Sequence, residues 1–509
     1  MHVVEGHPLL QKAEGFAWRD ELRAYLSLAL QVALANITRI ALTTIDSAFL
    51  GHLGTESLAA ASLATIWTQV PLFSVWAMSS SLITLCGQAF GARNFTLMGV
   101  WFQMALLLVS CLACFVVGYY WCLDRILVRA TDDAVIVDLG TRFSRILSGA
   151  IWPTLAYACM RQYLQAMHIV APTTAIGSIS IGLAILANYV LIYGAGAWNG
   201  LGFDGSAIAT VLASWFQPTS LFLYAFVYRG YHKQAWGGWH WSAFTRDRWR
   251  LFLRMAIPLG MIDGFTTLAN SCMSLIAAHM GAEILASNAI LLTLWGLLWA
   301  LFWGFGCATQ VKVANHLGAG RADAARGASR LGFATILVVV GVVVGLLLCF
   351  QEAILGIYTS DAHLMAHCGS VLPLFVLGFS VDALEITVTA ILNGMGQMPF
   401  VSSVVFTGMW LVQLPLSYVL AIHCNYGFAG LWAGICVTAG FKLLVLSAKY
   451  ASVDWDRMAV TAMATMAAED EVCIHEDAFV AGSPVNVVVA GALPRRWSMS
   501  SVSRTSLDA

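Results

Sequence analysis

Charged residues are scarce in this chain. Aspartate, glutamate, lysine and arginine together make up 10% of its 509 residues, whereas a soluble domain carries about 25%. Hydrophobic residues make up 59%, and so few charges cannot cover the water-exposed surface of a globule of this size. The composition excludes a soluble globular protein and predicts a multi-pass membrane protein.

Several functional patterns are also missing. The formal net charge is −1 and no basic stripe is present, which excludes nucleic-acid binding as a main function. The phosphate-loop pattern G-x-x-x-x-G-K-[ST] is absent, so this chain alone does not drive transport with ATP. No cluster of histidine, cysteine and acidic residues has the spacing of a catalytic or metal site. We therefore expect no enzymatic activity, no metal and no cofactor.

Paired cysteines are lacking too, although the chain has 12 cysteines. Cys111 and Cys114 have a C-x-x-C spacing, but they lie in an apolar run without a second pair or histidines. This context predicts small buried hydrophobic residues rather than zinc ligands or a disulfide framework.

Long apolar stretches are what the chain has in abundance. A bilayer core of ~30 Å needs about 20 apolar residues per helix. Twelve stretches fit: 25–50, 61–86, 101–123, 141–163, 170–194, 205–228, 252–278, 287–311, 330–350, 368–391, 400–422 and 428–450. The loops that follow even-numbered stretches hold most arginines and lysines, including Arg93, Arg161, Lys312 and those of 229–250. The positive-inside rule therefore places both termini in the cytoplasm.

An internal repeat relates the two halves. His52, Gly54 and Glu56 recur as His279, Gly281 and Glu283, at a constant offset of 227 residues. The repeat predicts an all-α fold of twelve transmembrane helices in two six-helix lobes, related by a pseudo-two-fold axis along the membrane normal, with a cavity between them.

The predicted organisation has five parts. They are a cytoplasmic N-terminal segment 1–24, an N-terminal lobe 25–228, a cytoplasmic inter-lobe loop 229–251, a C-terminal lobe 252–450 and a cytoplasmic disordered tail 451–509.

Ionisable residues within the spans are the candidate functional groups. Placing a charged side chain at membrane depth costs ~2.5–3.5 kcal/mol of free energy unless it is paired with an opposite charge or hydrated. The acidic candidates are Asp46, Asp263, Asp382 and Glu385. A carboxylate removed from water takes up a proton more readily, so a proton and a cation can compete for it. The alternative is a purely structural hydrogen bond to a neighbouring helix.

Two pairings are expected among these groups. Asp382 and Glu385 are three residues apart and share a helix face, so we expect them to share one proton. Arg39 lies two turns before Asp46 on the same face, where it would neutralise Asp46 and hold it in a structural role. Trp295 and Trp299 form part of an aromatic stripe that would line a cation site or pack against protein and lipid.

Four motifs resemble those of multidrug and toxic-compound extrusion (MATE) transporters. They are DSAFLGHLG at 46–54, LCGQAFGA at 85–92, VANHLGAG at 313–320 and NGMGQ at 393–397. The resemblance covers about residues 25–450. It implies two six-helix lobes and secondary antiport of organic cations or amphipathic metabolites, driven by protons or sodium.

The resemblance also implies roles for particular residues. Asp382 matches a carboxylate of the family's tenth helix, Asp46 a first-helix aspartate used in cation coupling, and Asn188 a fifth-helix asparagine. Members commonly carry a glutamate eight residues after a helix-seven proline. Here that position is Thr266, and Asp263 lies about one turn earlier.

The function expected from the sequence is a monomeric antiporter of cationic small molecules in the plasma membrane or a vacuolar or vesicular membrane. The alternative is a flippase for lipid-linked or other anionic metabolites. A flippase of that kind needs a cationic cavity, and Arg39 is the clear intramembrane arginine.

Overall fold

The computed structural model describes residues 18–131, 133–196, 198–234, 236, 238, 243–359 and 361–466, and these residues are almost entirely helical. We number the helices that correspond to the twelve apolar stretches α1 to α12. Their bounds are α1 Trp18–Leu53, α2 Thr55–Gly91, α3 Phe95–Trp121, α4 Ala134–Ala166, α5 Ala171–Tyr193, α6 Phe203–Leu221, α7 Arg246–His279, α8 Ala282–Gly318, α9 Ala322–Cys349, α10 Ala362–Gly394, α11 Met398–His423 and α12 Gly427–Ala451.

Ten of the described helices are long and apolar enough to cross a membrane by length and composition alone. The other two are α4 and α6. Helix α4 has 33 residues but carries charged side chains such as Arg142 and Arg145. Helix α6 continues beyond Leu221 as the π-helical segment Phe222–Tyr228. Each of the twelve predicted stretches therefore forms a helix, which confirms the predicted fold class.

The repeat is visible in the local structure of both lobes. Gly54 and Gly281 precede α2 and α8 with φ of 131° and 122°, a region that favours glycine because it has no Cβ. Asp133 caps the start of α4 by accepting from the Val135 N–H at 2.9 Å. Asp361 does the same for α10, accepting from the N–H two residues later at 2.8 Å. The same start signals therefore build equivalent helices in the two lobes.

Many large apolar side chains point outward, as a lipid-facing surface requires. Phe115 on α3 is 75% exposed, and Val338 on α9 is 67% exposed. Cys111 and Cys114 are also exposed, on α3. The expectation that these two cysteines are buried was wrong, because periodicity cannot distinguish a face toward lipid from a face toward protein.

The two lobes contact each other through the N-terminal half of α1 and the C-terminal half of α8. The Tyr25 hydroxyl donates to the Phe305 carbonyl at 3.0 Å. The Lys312 ammonium lies 2.9 Å from the Glu21 carboxylate. Lys312 was assigned to a loop, but α8 extends to Gly318 and places it inside the helix. The ion pair and the hydrogen bond together join the lobes at the helix ends that we expect to face the cytoplasm.

A second set of contacts joins α2 to the end of α10. The Thr84 hydroxyl donates to the Asn393 carbonyl at 2.8 Å, and the Gln88 amide donates to the Gly394 carbonyl at 3.0 Å. All four groups lie near the C-terminal ends of α2 and α10. They extend the contacts between α1 and α8, and we call this whole set of interlobe contacts the seal.

The seal includes the turn between α4 and α5. Burial lowers the pKa of His168 in this turn to about 3, with further contributions from the nearby Lys312 and His316. The ring is therefore neutral and donates through Nε2 to the Asn315 amide oxygen at 2.7 Å, while the amide nitrogen donates to the Gly87 carbonyl at 2.8 Å. Asn315 of α8 thus bonds to two segments of the opposite lobe.

The opposite ends of the helices are more open. Thr43 and Ser47 on α1 and Thr293 on α8 are exposed polar residues beyond the sealed region. Polar side chains exposed at membrane depth are expected to line a water-filled cleft rather than to face lipid. We therefore expect a cleft that is closed at the interlobe contacts described above and open at the opposite ends of the helices.

A further helix, α13, spans residues 455–466 and ends beside the turn between α2 and α3. Its buried residues are Trp455, Ala459, Ala462 and Met466, a spacing that puts them on one helix face. This amphipathic pattern explains why this part of the predicted disordered tail is ordered instead. Residues 467–509 and 1–17 lie outside the described part of the chain.

Helix α13 reaches from one lobe to the other. Trp455 and Ala459 pack in a hydrophobic cluster of the C-terminal lobe. Met466 packs in a cluster built mainly from the N-terminal lobe, and its carbonyl accepts from the Asn94 amide at 3.2 Å. The helix therefore crosses the seam between the lobes.

We expect Met466→Asp to detach the end of α13 and lower the thermal stability of the purified full chain. Met466 is 1% exposed, and an unpaired buried carboxylate is expected to cost about 2 kcal/mol or more. Thermal unfolding in detergent measures the effect. Ala464→Asp is the matched control, because Ala464 lies on the exposed face of the same helix. Equal melting temperatures for the two variants would contradict the packing described here.

Candidate transport site

A cluster of three charged side chains lies within the C-terminal lobe. The Lys442 ammonium on α12 is 3.2 Å from the Asp382 carboxylate and 3.2 Å from the Glu385 carboxylate. Thr389 donates to the other Glu385 oxygen at 2.7 Å. The two carboxylates and one ammonium leave the cluster with one net negative charge when all three groups are ionised.

The packing of α11 against α12 makes room for the lysine. A Cβ at Gly408 of α11 would come within 2.9 Å of the Lys442 Cγ. Gly408 belongs to a π-helical segment, Thr407–Gln413, and such segments often occur at functional sites. The side chain of Lys442 is 12% exposed and that of Asp382 is 13% exposed, so the cluster is nearly enclosed by protein.

Lys442 was not among the predicted site residues. Asp382 and Glu385 lie together, as their spacing predicts, but they were expected to form an isolated acidic pair that shares one proton. The ammonium between the carboxylates offsets their repulsion, so a shared proton is no longer required to hold them together. The available signal was a lysine inside the apolar stretch 428–450, since an intramembrane lysine needs a partner.

A second acidic group lies in the N-terminal lobe. Asp46 on α1 accepts one hydrogen bond from the Asn188 amide at 2.8 Å and another from the Thr210 hydroxyl at 2.9 Å. Asn188 is fully buried on α5, so its side chain fixes the orientation of the carboxylate. Thr210 on α6 is a partner that was not among the predicted site residues.

The expected pairing of Arg39 with Asp46 was wrong. The Arg39 guanidinium lies over the rings of Trp76, at 5.5 Å, and Phe73, at 5.7 Å. Among the described residues, the ion pairs include none to Asp46. Two turns along a helix place both side chains on one face, but the length of arginine lets it reach α2 instead.

Arg39 has two other charged neighbours. Its charge interacts with that of Asp263 on α7, which belongs to the opposite lobe, and with that of Arg161 on α4. Arg161 was assigned to a loop, but it is buried within α4 and lies 5.6 Å above the Trp76 ring. Asp263 therefore interacts with an arginine of the opposite lobe.

The two candidate tryptophans take different positions. Trp295 packs against Phe375 and Trp432 within the C-terminal lobe, with centroid distances of 5.7 and 5.8 Å. Trp299 stacks on Trp303 at 5.4 Å. The aromatic contacts of Trp295 agree with the packing alternative for that residue.

The geometry separates the ionisable groups by lobe. The N-terminal lobe holds Asp46 with neutral donors, and the C-terminal lobe holds the Asp382–Glu385–Lys442 cluster. In the described part of the chain, no group of three or more histidine, cysteine and acidic residues could hold a metal ion. Each acidic centre carries one net negative charge when ionised and can be neutralised by one proton or one monovalent cation.

Comparison with known proteins adds independent information. The MatE family model matches residues 32–190 and again residues 258–419, one match in each lobe. Protein DETOXIFICATION 16 of Arabidopsis thaliana is 26% identical over 449 residues, which cover 87% of this chain and 90% of that protein. Multidrug and toxin extrusion protein 1 of Mus musculus is 30% identical over 446 residues, which cover 86% of this chain and 76% of that protein.

The fold is similar to that of solved transporters. The crystal structure of the eukaryotic MATE transporter AtDTX14 superposes with a TM-score of 0.80 at 22% identity. The match covers 88% of this chain and 99% of that chain. At this identity the likeness establishes the two-lobe architecture.

Proposed function

The chain belongs to the MATE family of membrane transporters, and on that premise we propose that it exports organic cations in exchange for protons by alternating access. The transporter would act as a monomer, because one chain contains both lobes. It would lie in the plasma membrane or in a vacuolar or vesicular membrane, where a pH gradient can drive export.

The observation that carries the proposal is the Asp382–Glu385–Lys442 cluster. Its single net negative charge, enclosed by α10, α11 and α12, suits one monovalent cation or one proton. Simultaneous binding of both would leave an uncompensated positive charge at membrane depth, which is costly. Competition for one charge is the simplest way to couple the two flows.

A transport cycle follows from this competition and from the cleft. With the cleft open away from the cytoplasm, protons from the acidic side neutralise the carboxylates and displace the cation. The neutral clusters then allow the lobes to rearrange and open to the cytoplasm, where the proton leaves and a new cation binds. Asp46 would act in the same way in the N-terminal lobe, with Asn188 and Thr210 orienting its carboxylate.

A specific observation also favours the second candidate, a flippase or transporter of anionic metabolites. Arg39 and Arg161 lie over the same Trp76 ring, so two arginines meet at this point of the N-terminal lobe. Two guanidinium groups at membrane depth attract an anionic group. Asp263 interacts with Arg39 and offsets part of this charge.

Uptake by proteoliposomes that contain the purified full chain distinguishes these functions. We expect tetraethylammonium to accumulate when the lumen is more acidic than the medium, because proton exit drives cation entry. A sodium-loaded lumen at equal pH tests sodium as the coupling ion. Absence of uptake under both gradients, together with translocation of an anionic lipid probe, would replace cation antiport by the flippase function.

A further inference from the structure

We propose that Arg39, Arg161 and Asn36 form a subsite that binds a compact oxyanion, the carboxylate or phosphate of an amphoteric ligand. The three side chains come from α1 and α4 and meet beside Trp76 of α2. The subsite adds an anion-binding group to the proposed transport site. It rests on the proposed function in one respect, namely that the bound ligand is a transported substrate.

The first argument is the number of unsatisfied donors. The Asn36 Nδ2, Arg39 Nε and Arg161 Nε atoms are buried and have no hydrogen-bond partner among the described residues. Asn36 is 2% exposed and Arg161 is 9% exposed. A buried donor without an acceptor costs about 1–3 kcal/mol, and three of them in one place need an acceptor with several lone pairs. A carboxylate or phosphate group is such an acceptor.

The second argument is charge. Arg39 and Arg161 are near enough for their like charges to act on each other, and both lie on the face of one indole ring. The indole face attracts each cation separately but does not offset the repulsion between them. Asp263 compensates part of the charge on Arg39. Two guanidinium groups against one carboxylate leave one net positive charge, so the subsite suits a monoanion.

The third argument is the charge of the opposite lobe. The Asp382–Glu385–Lys442 cluster carries one net negative charge, the reverse of the arginine subsite. A substrate with one cationic and one anionic group would match both lobes. The ligand class inferred is therefore an amphipathic zwitterion, with its anionic group at the N-terminal lobe.

The test uses a matched pair of ligands with the purified full chain. One is a cationic xanthene dye with its carboxyl group esterified, and the other is the same dye with a free carboxylate. Fluorescence anisotropy in neutral-lipid nanodiscs gives both affinities without requiring transport. We expect Arg39→Gln to weaken binding of the free-carboxylate dye about tenfold, because a charge-assisted hydrogen bond is lost. Binding of the ester should not weaken.

Two further variants keep the test independent of folding defects. Asp263→Asn should strengthen binding of the free-carboxylate dye, since it removes the negative charge that acts on Arg39. Arg145→Gln is the matched control, because Arg145 is an exposed arginine of α4 that lies over a different tryptophan, Trp121. This control should leave both affinities unchanged. Equal loss of both dyes in Arg39→Gln, or no gain in Asp263→Asn, would overturn the subsite.

Adding an anionic lipid to the nanodisc distinguishes the two sources of the oxyanion, a lipid headgroup and the carboxylate of a substrate. If phosphatidylglycerol in the nanodisc competes with the free-carboxylate dye in the wild type but not in Arg39→Gln, the subsite takes a lipid headgroup. If it does not compete, the subsite takes the substrate carboxylate. Failure of tetraethylammonium transport with intact dye discrimination would refute the cation antiport and leave the subsite standing.

Discussion

Asp382→Asn is expected to reduce uptake of tetraethylammonium driven by a pH gradient at least tenfold, while the protein still folds and reaches the membrane. Asparagine keeps the shape of the side chain but removes the only net negative charge of the C-terminal cluster, because Glu385 and Lys442 then compensate each other. An unpaired charge at membrane depth is worth several kcal/mol, so a bound cation would lose most of its attraction. Initial uptake rates in acid-loaded proteoliposomes measure the effect.

The control for this prediction restores the net negative charge of the cluster. The double variant Asp382→Asn with Lys442→Gln leaves Glu385 as the single charge of the cluster. It should bind cations better than Asp382→Asn alone if net charge decides affinity. Wild-type uptake by the single variant would make this carboxylate structural, and the coupling site would then lie at Asp263 or Asp46.

The second large effect is expected from Gly318→Val. A Cβ at Gly318 of α8 would overlap the Gln88 carbonyl of α2, and a Cβ at Gly91 would overlap the Asn315 carbonyl. The two glycines are 227 residues apart and occupy equivalent positions in the repeat. Each lets the opposite backbone approach where no side chain fits. Valine at 318 should therefore hold the lobes apart where α8 meets α2 and abolish transport.

The accessibility of Cys307 measures the opening. This cysteine on α8 is 1% exposed, and Gln165 of the opposite lobe lies 2.6 Å from its sulfur. With Cys307 as the sole cysteine, maleimide labelling should be slow in the wild-type background and fast in Gly318→Val. Gly341→Ala is the control, because a Cβ at Gly341 meets nothing within 4 Å. Slow labelling of Gly318→Val would show that the seal tolerates the added side chain.

The number of helices and the two-lobe repeat were predictable because they depend on patterns that recur along the chain. Apolar length fixes which segments can span a bilayer, and the constant offset of 227 residues relates the halves. Helix start signals act locally, so Gly54 and Asp133 have the same effect in the N-terminal lobe as Gly281 and Asp361 have in the C-terminal lobe. The coarse function followed from motifs that the family comparison supports.

The partners of the charged residues were not predictable in the same way. The sequence placed Asp382 and Glu385 on one face, since their spacing along a helix determines that. It did not place Lys442 between them, because Lys442 and Glu385 are 57 residues apart and meet only when α12 packs against α10. For the same reason it paired Arg39 with Asp46, whereas the long side chain reaches Trp76 on a neighbouring helix.

The sequence by itself therefore determined which segments form the helices and which acidic groups lie within them, and the tertiary structure decided which charges compensate each other. Helix periodicity fixes neighbours on the same helix within a few residues. Charge balance depends on distances of 3–6 Å between helices that are remote in sequence, because electrostatic attraction acts through space rather than along the chain. The net charge of each lobe, and with it the class of ligand, emerges only when the helices are packed.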